Sequence, residues 1–124
     1  MINKKIKSFT DLDTWKEGHK LVLLIYESTK FFPKEERFAL TDQIRRAAVS
    51  ITSNIAEGFS RQSLREKIQF YSISKGSNTE VQNQSIIAKD LKYLDQEKFL
   101  ELIQQSIRVS KLLSGLIKYC KNNI

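Results

Sequence analysis

Residues that interrupt regular structure are scarce in this sequence. Its 124 residues include one proline and four glycines, which disfavours a sandwich of short strands joined by tight turns and favours long helices. The content of 40% hydrophobic and 28% charged residues is normal for a globular protein and excludes a disordered chain. A chain of this length is expected to form one domain over residues 1–124.

Cysteine and histidine, the residues most used for disulfides and for zinc ligation, are each present once. Cys120 is the single cysteine, so no internal disulfide forms and a reducing compartment is expected. His19 is the only histidine and lacks a cluster of metal ligands, so a partly buried helical position is the simpler interpretation. No stretch approaches the roughly 18 apolar residues of a membrane span, and the amino terminus lacks the apolar segment of a secretory signal. We expect a cytoplasmic protein with no metal ion, no cofactor and no catalytic residues.

Stop signals and apolar periodicity predict four helices, over residues 11–32, 36–57, 63–92 and 95–120. Thr10 or Asp11 is expected to cap the first helix, which ends before Pro33. Gly58 is expected to end the second helix in a left-handed conformation. Short links between long helices predict an all-α, antiparallel up-down-up-down four-helix bundle.

The third and fourth helices carry their own start signals. Ser63 and Glu66 have the spacing of a capping box, and Asp95 is expected to cap the last helix, with Leu94 and Phe99 as a hydrophobic staple. The middle of the third helix has low helix propensity. Along the fourth helix, apolar or small residues alternate at three- and four-residue steps, as in a heptad seam: Phe99, Leu102, Ser106, Val109, Leu113, Leu116 and Cys120.

Two segments bear on packing. The run LVLLIY over residues 21–26 is apolar all round a helix, which indicates burial on more than one side and hence self-association. A strand is the competing interpretation, but the flanks lack turn signals. In the second helix, Arg46 and Glu57 lie opposite the apolar face and are interpreted as a solvated or interface-paired stripe. Asn54 lies at the edge of that face and is expected to bond across helices.

The strongest functional signal is charge. The formal net charge is +7, and Arg108, Lys111, Lys118 and Lys121 lie on one arc of the fourth helix, with no acidic residue after Glu101. Such a surface is sufficient for phosphate contacts without base recognition. The other interpretation is that these lysines complement the helix dipole and keep the surface hydrated.

Two further basic groups extend this hypothesis. Arg61 and Arg65 lie near the turn between the second and third helices, where they would enlarge a nucleic-acid-binding patch. Lys4, Lys5 and Lys7 lie in a predicted flexible basic arm over residues 1–9. The competing hypothesis is a protein-interaction scaffold without a nucleic-acid partner.

Four segments carry a resemblance to a known family: FTDLDTW, IYESTKFFPKEER, ERFALTDQIRRAAVSITSNIAEGFSR and FYSISKGSNTEVQNQ. Together they cover most of the chain from Phe9 to about Tyr93, and their combination resembles the four helix bundle protein family, also called the 23S rRNA intervening-sequence protein family. Thr52 stands where that family often has proline, and Lys75 where it often has arginine. Neither difference affects the expected fold.

The resemblance implies an antiparallel four-helix bundle that assembles as a homopentamer. Some members of the family are encoded within intervening sequences of large-subunit rRNA genes. A related protein is the accessory factor of diversity-generating retroelements, which binds nucleic acid and a reverse transcriptase. The resemblance supplies no catalytic residues.

Overall fold

The computed structural model describes residues 5–124, which form four α-helices and two short 3-10 turns. The helices are α1 (Asp13–Thr29), α2 (Leu40–Ser60), α3 (Leu64–Asp90) and α4 (Gln96–Asn122), and the 3-10 turns span Phe9–Asp11 and Lys34–Glu36. α1 packs against α2 and α4, and α3 packs against the same two helices, so α1 and α3 are diagonal. The predicted all-α up-down-up-down bundle is confirmed.

The connections fall at two ends of the bundle. The end called here the Pro33 end carries the α1–α2 and α3–α4 connections, which meet where the Tyr93 hydroxyl donates to Glu36 Oε2 at 2.9 Å. The Gly58 end carries the α2–α3 turn together with the start of α1 and the end of α4. This arrangement follows from the antiparallel order of the four helices.

The first two helices begin later than the sequence predicts. Ser8 caps the 3-10 turn at Phe9–Asp11 in a reciprocal capping box with Asp11, so the expected cap at Thr10 or Asp11 is wrong and α1 starts at Asp13. Ser8 and Phe9 therefore belong to structured chain rather than to the predicted arm, and Lys4 lies outside the described residues. α2 starts at Leu40, after the second 3-10 turn.

α1 ends at Thr29, three residues earlier than predicted but still before Pro33. The Thr29 hydroxyl donates to the Ile25 carbonyl at 2.7 Å and lies 3.3 Å from the Tyr26 carbonyl, which is one of the last acceptors of the helix. The apolar run over residues 21–26 of α1 is only partly buried by the other helices. Leu21 and Ile25 are fully buried, whereas Leu23 is 55% exposed.

Gly58 does not have the predicted left-handed conformation, because no glycine of residues 5–124 has a positive φ. α2 continues to Ser60, and Gly58 is needed for close packing instead. A Cβ at this position would lie 2.6 Å from Cε1 of Tyr71. The end of α2 is stabilised by Lys67, whose Nζ donates to the carbonyls of Gly58 at 3.2 Å and Phe59 at 2.7 Å.

α3 is continuous from Leu64 to Asp90, although its middle is poor in apolar residues. Its inward face carries small or amide side chains that bond to neighbouring helices. Ser74 donates to the Ile51 carbonyl at 2.8 Å, and the Ser77 hydroxyl bonds to that of Ser50 at 2.8 Å. These bonds tie α3 to its neighbours although Gln84 Oε1 and Ser85 Oγ have no hydrogen-bond partner, and such tertiary contacts override the low intrinsic propensity of the segment.

The α3–α4 interface contains a buried hydrogen-bonded network. Asn78, 1% exposed, donates through Nδ2 to the Ser106 carbonyl at 2.9 Å and accepts from the Ser106 hydroxyl at 2.6 Å. Gln82 Nε2 donates to the same hydroxyl at 2.8 Å. Of the rest of the predicted α4 seam, Leu102, Val109, Leu113 and Cys120 are buried, whereas Phe99 and Leu116 are half-buried.

The predicted starts of α3 and α4 are confirmed. Ser63 Oγ accepts from the Glu66 amide at 3.3 Å, and Asp95 Oδ1 accepts from the Lys98 amide at 2.8 Å. Between these helices, Lys92 has φ of 66°, a left-handed conformation in which glycine is usual.

Candidate nucleic-acid interface

The outer face of α4 carries the basic residues that the sequence selected. Arg108, Lys111, Lys118 and Lys121 are all exposed, because the heptad seam turns the opposite face of the helix into the core. They do not form one uniform patch, however. Their neighbours on α1 and α3 separate Arg108 from Lys118 and Lys121.

Arg108 lies on the α1 side. Its NH1 is 3.4 Å from Oε1 of Glu17, and Glu17 also pairs with Lys20 at 3.0 Å and accepts from Gln105 Nε2 at 3.2 Å. Hydrogen bonds from Lys20 and then Gln105 lower the pKa of the Glu17 carboxyl, which keeps the carboxylate charged. Arg108 is therefore partly neutralised and is the weakest member of the predicted set.

Lys118 and Lys121 lie on the α3 side, where they line an open groove of about 310 Å³ with Lys75. Three cations thus converge on one groove between two helices. Lys75 was not selected from the sequence, because it lies about forty residues from its neighbours along the chain. In the antiparallel pairing of α3 with α4, where Asn78 bonds to Ser106, Lys75 lies nearer the middle of α4 than its last turns, and only the folded structure shows that it lines the groove with Lys118 and Lys121.

The two arginines at the α2–α3 turn differ from each other. Arg61 pairs with Glu57 at 3.1 Å and stacks on the ring of Phe70 at 4.6 Å, so its charge is already engaged. Arg65 is exposed on the first turn of α3. The α2–α3 turn lies at the same end of the bundle as Lys118 and Lys121. Of the two arginines, Arg65 is the one that extends the basic surface of these lysines toward the turn.

The polar stripe of α2 is paired within the helix. Arg46 bonds to Asp42 at 2.8 Å, and Glu57 pairs with Arg61. Arg46 and Glu57 are both exposed, so the solvated alternative is confirmed. Asn54 does not bond across helices as expected. Its Nδ2 donates to the Ser50 carbonyl at 2.8 Å, within α2, and Ser50 makes the interhelical bond to α3.

Residues with catalytic potential are separated from one another. His19 is exposed rather than partly buried, and its ring stacks on Trp15 with centroids 4.8 Å apart. Cys120 is buried, and burial raises the pKa of its thiol, which disfavours the reactive thiolate. Among residues 5–124, no group of three or more metal-ligating side chains lies together.

None of the helices in the described part of the chain is long and apolar enough to cross a membrane. The fold and the basic surface define a small antiparallel four-helix-bundle protein with open grooves between its helices. The chain belongs to the 23S rRNA-intervening sequence protein family, whose model matches residues 10–115.

A crystal structure from Bacteroides thetaiotaomicron, described as a protein of unknown function from the S23 ribosomal protein family, has a similar fold. The TM-score is 0.78 at 24% identity, over 85% of this chain and 95% of that one. At this identity the likeness concerns the fold alone. No curated protein is significantly similar to this chain.

Proposed function

We propose that this protein is a non-enzymatic, homopentameric helical bundle that acts in the cytoplasm and binds nucleic acid through its basic surface, without sequence preference. The groove lined by Lys75, Lys118 and Lys121 is the observation that carries this proposal. None of these three lysines has an acidic partner within 4.0 Å among the described residues. Unpaired cations on an open surface suit the phosphates of a nucleic-acid backbone.

Self-association is supported by apolar side chains exposed on two different sides of the bundle. Leu23, Tyr26 and Val49 are 39–55% exposed along α1 and α2, and Ile73 and Ile107 are 52% and 44% exposed on α3 and α4. A closed ring with an odd number of subunits needs two different complementary surfaces on each subunit. The number five comes from the family resemblance, and light scattering at micromolar concentration measures it.

A pentamer would repeat the basic groove five times. Several weak phosphate contacts on one particle raise the overall affinity by avidity, without any new contact within a subunit. The contacts would be largely electrostatic. Their affinity should therefore fall log-linearly as the salt concentration rises, because each neutralised phosphate releases counterions.

The test is a gel shift with a salt titration on random-sequence RNA and DNA duplexes. The quadruple variant R108Q/K111Q/K118Q/K121Q should weaken binding to all sequences alike while circular dichroism remains unchanged. The triple variant K75Q/K118Q/K121Q should reduce the salt slope on DNA by up to about 3, since each phosphate contact contributes about 0.9.

A variant that removes equal charge elsewhere, K16Q/K89Q/K98Q, serves as the control for net charge. If it weakens binding as much as K75Q/K118Q/K121Q, the groove is not the binding site. If the intact oligomer shows no binding at about 50 mM salt, the nucleic-acid proposal is wrong. A protein-interaction scaffold is then the better hypothesis.

A further inference from the structure

A second cluster of cations lies at the Pro33 end, far along the bundle from the α3–α4 groove. A small cleft of about 190 Å³ at the connection between α1 and α2 is lined by Lys30, Lys34, Arg37 and Arg45, with Thr41 also in its wall. We call these five residues the α1–α2 corner. No acidic residue lines the cleft, so four like charges converge on one small space.

The charges of the α1–α2 corner are not balanced by carboxylates. None of the four cations lies within 4.0 Å of an acidic group in the part of the chain that the structure describes. The carboxylate of Glu36, in the adjoining 3-10 turn, is engaged elsewhere. It accepts from the Tyr93 hydroxyl at 2.9 Å and from the Leu40 amide at 3.4 Å.

The cleft adjoins the amino-terminal end of α2, where the helix dipole is positive. Cations at this end of a helix are unfavourable, whereas an anion is favourable. Ala39, the residue preceding α2, provides no side-chain cap, and Glu36 accepts from the first amide, that of Leu40, at 3.4 Å. Arg37 precedes this end and Arg45 lies in the second turn of α2, so a negative group in the cleft would offset the charge of both.

Thr41 adds an unpaired hydroxyl to the wall of the cleft. It is 8% exposed, and its Oγ1 is one of five buried side-chain polar atoms without a hydrogen-bond partner among residues 5–124. An unsatisfied buried hydroxyl destabilises a fold, and native structures contain few of them. An oxygen-rich anion in the cleft would provide the missing acceptor.

Arg45 is held in a fixed position within the wall of the cleft. Its Nε donates to Thr29 Oγ1 at 2.8 Å and its NH2 to the Tyr26 carbonyl at 3.4 Å, and the guanidinium stacks on the Tyr26 ring at 4.7 Å. A guanidinium fixed in this way loses little side-chain entropy when it binds an oxyanion.

We propose that the α1–α2 corner is a binding site for a phosphate group. The cleft is smaller than the roughly 300 Å³ at which pockets for drug-sized ligands begin, so it takes a phosphate and leaves any attached nucleoside outside. Phe31 and Phe38, 88% and 85% exposed, flank this site in the chain and offer rings on which a base can stack. The site does not depend on the basic groove of α4.

Three phosphate-containing probes show whether the ligand is free phosphate, a nucleotide or a nucleic acid. Isothermal titration with inorganic phosphate, with adenosine monophosphate and with a short single-stranded oligonucleotide is compared at constant ionic strength. If the natural ligand is free phosphate, inorganic phosphate should bind as tightly as adenosine monophosphate. If it is a nucleotide or a nucleic acid, the nucleotide and the oligonucleotide should bind more tightly than inorganic phosphate, and F31S/F38S should remove that difference.

The variant K34Q/R37Q is expected to weaken binding of inorganic phosphate and of adenosine monophosphate by at least about tenfold, since each charge-assisted hydrogen bond contributes that factor or more. T41V keeps the shape of the side chain and should weaken binding to a smaller extent. K16Q/K89Q removes the same charge outside both proposed sites and should leave the binding of these two probes unchanged.

Two results would overturn the proposal. One is the absence of saturable binding by all three probes. The other is equal binding by the wild type and K34Q/R37Q when circular dichroism shows that both are folded. Loss of duplex binding by K75Q/K118Q/K121Q with phosphate binding retained separates this site from the proposed function.

Discussion

The two ends of the bundle treat their charged and aromatic side chains differently. At the Gly58 end, Lys67 donates to the last carbonyls of α2, Arg61 pairs with Glu57, and Tyr71 is buried against Gly58. At the Pro33 end, two phenylalanines are almost fully exposed, and four cations line a cleft without an acidic partner. Close packing and charge pairing at the α2–α3 turn therefore stabilise the fold, whereas the α1–α2 connection leaves its cations and aromatic rings available for contacts outside the chain.

The largest expected effect is the dependence of stability on pH. Burial, with a smaller contribution from the charge of Cys120, raises the pKa of Tyr71 to about 12, above the ordinary value near 10. The folded state therefore holds the phenolic proton after the unfolded state has lost it. Its contribution to stability is complete below about pH 10 and lost between about pH 10 and 12, by about 2 to 3 kcal/mol.

Urea unfolding of the wild type and Y71F across this pH range measures the effect. The free energy of unfolding of the wild type should fall more steeply with pH than that of Y71F. At the Pro33 end, a hydrogen bond to Glu36 raises the pKa of Tyr93, and Y93F is the control for a half-buried tyrosine. Because Y93F retains Tyr71, its free energy of unfolding should fall more steeply with pH than that of Y71F, and the opposite order would contradict the contrast between the ends.

Gly58→Ala probes the same packing without a change of charge. The added methyl group would lie 2.6 Å and 2.8 Å from two ring carbons of Tyr71, so the ring or α3 must move. Overpacking of this kind costs about 1–3 kcal/mol, and the better helix propensity of alanine offsets up to about 1 kcal/mol of that. We expect a net destabilisation in thermal unfolding.

Gly76 and Gly115 supply matched controls, since a Cβ at either position meets nothing within 4 Å. Both lie inside helices, so G76A and G115A should each stabilise the protein by about 0.5–1 kcal/mol. If G58A were stabilising to the same extent, the close approach of α2 to Tyr71 would have no energetic importance.

A smaller effect of opposite sign is expected at the Pro33 end. Lys92 has a positive φ, which costs a non-glycine residue about 1 kcal/mol. Lys92→Gly should therefore raise the free energy of unfolding by a few tenths of a kcal/mol, because the greater freedom of glycine in the unfolded chain offsets part of the gain. K92A separates conformation from charge, and equal stability of K92G and K92A would contradict this account.

The number, order and packing faces of the helices could be predicted because apolar periodicity and caps such as Ser63 and Asp95 act locally. Their ends were less predictable. Gly58 suits either a left-handed cap or a close contact, and only the position of Tyr71 decides between them. Ala39 offers no local signal that α2 begins after it rather than at the preceding acidic residues.

The candidate site was predictable only where it lay on one helix. The α4 cations follow from helical periodicity, but the division between Arg108 and the two late lysines depends on Glu17 and Lys75, which lie on other helices. The corner at Lys34 and Arg37 required knowledge of how the α1–α2 connection folds back. Charges that converge from separate segments are not visible in a linear pattern.

The network of Asn78, Gln82 and Ser106 also determines how far α4 can slide along α3. An apolar seam that repeats every three or four residues tolerates a shift of one helical turn, about 5.4 Å. The same shift would separate the amide of Asn78 from the Ser106 hydroxyl and carbonyl, and would leave buried polar groups unpaired. The network thus fixes the axial alignment of the two helices, and with it the position of Lys75 relative to Lys118 and Lys121.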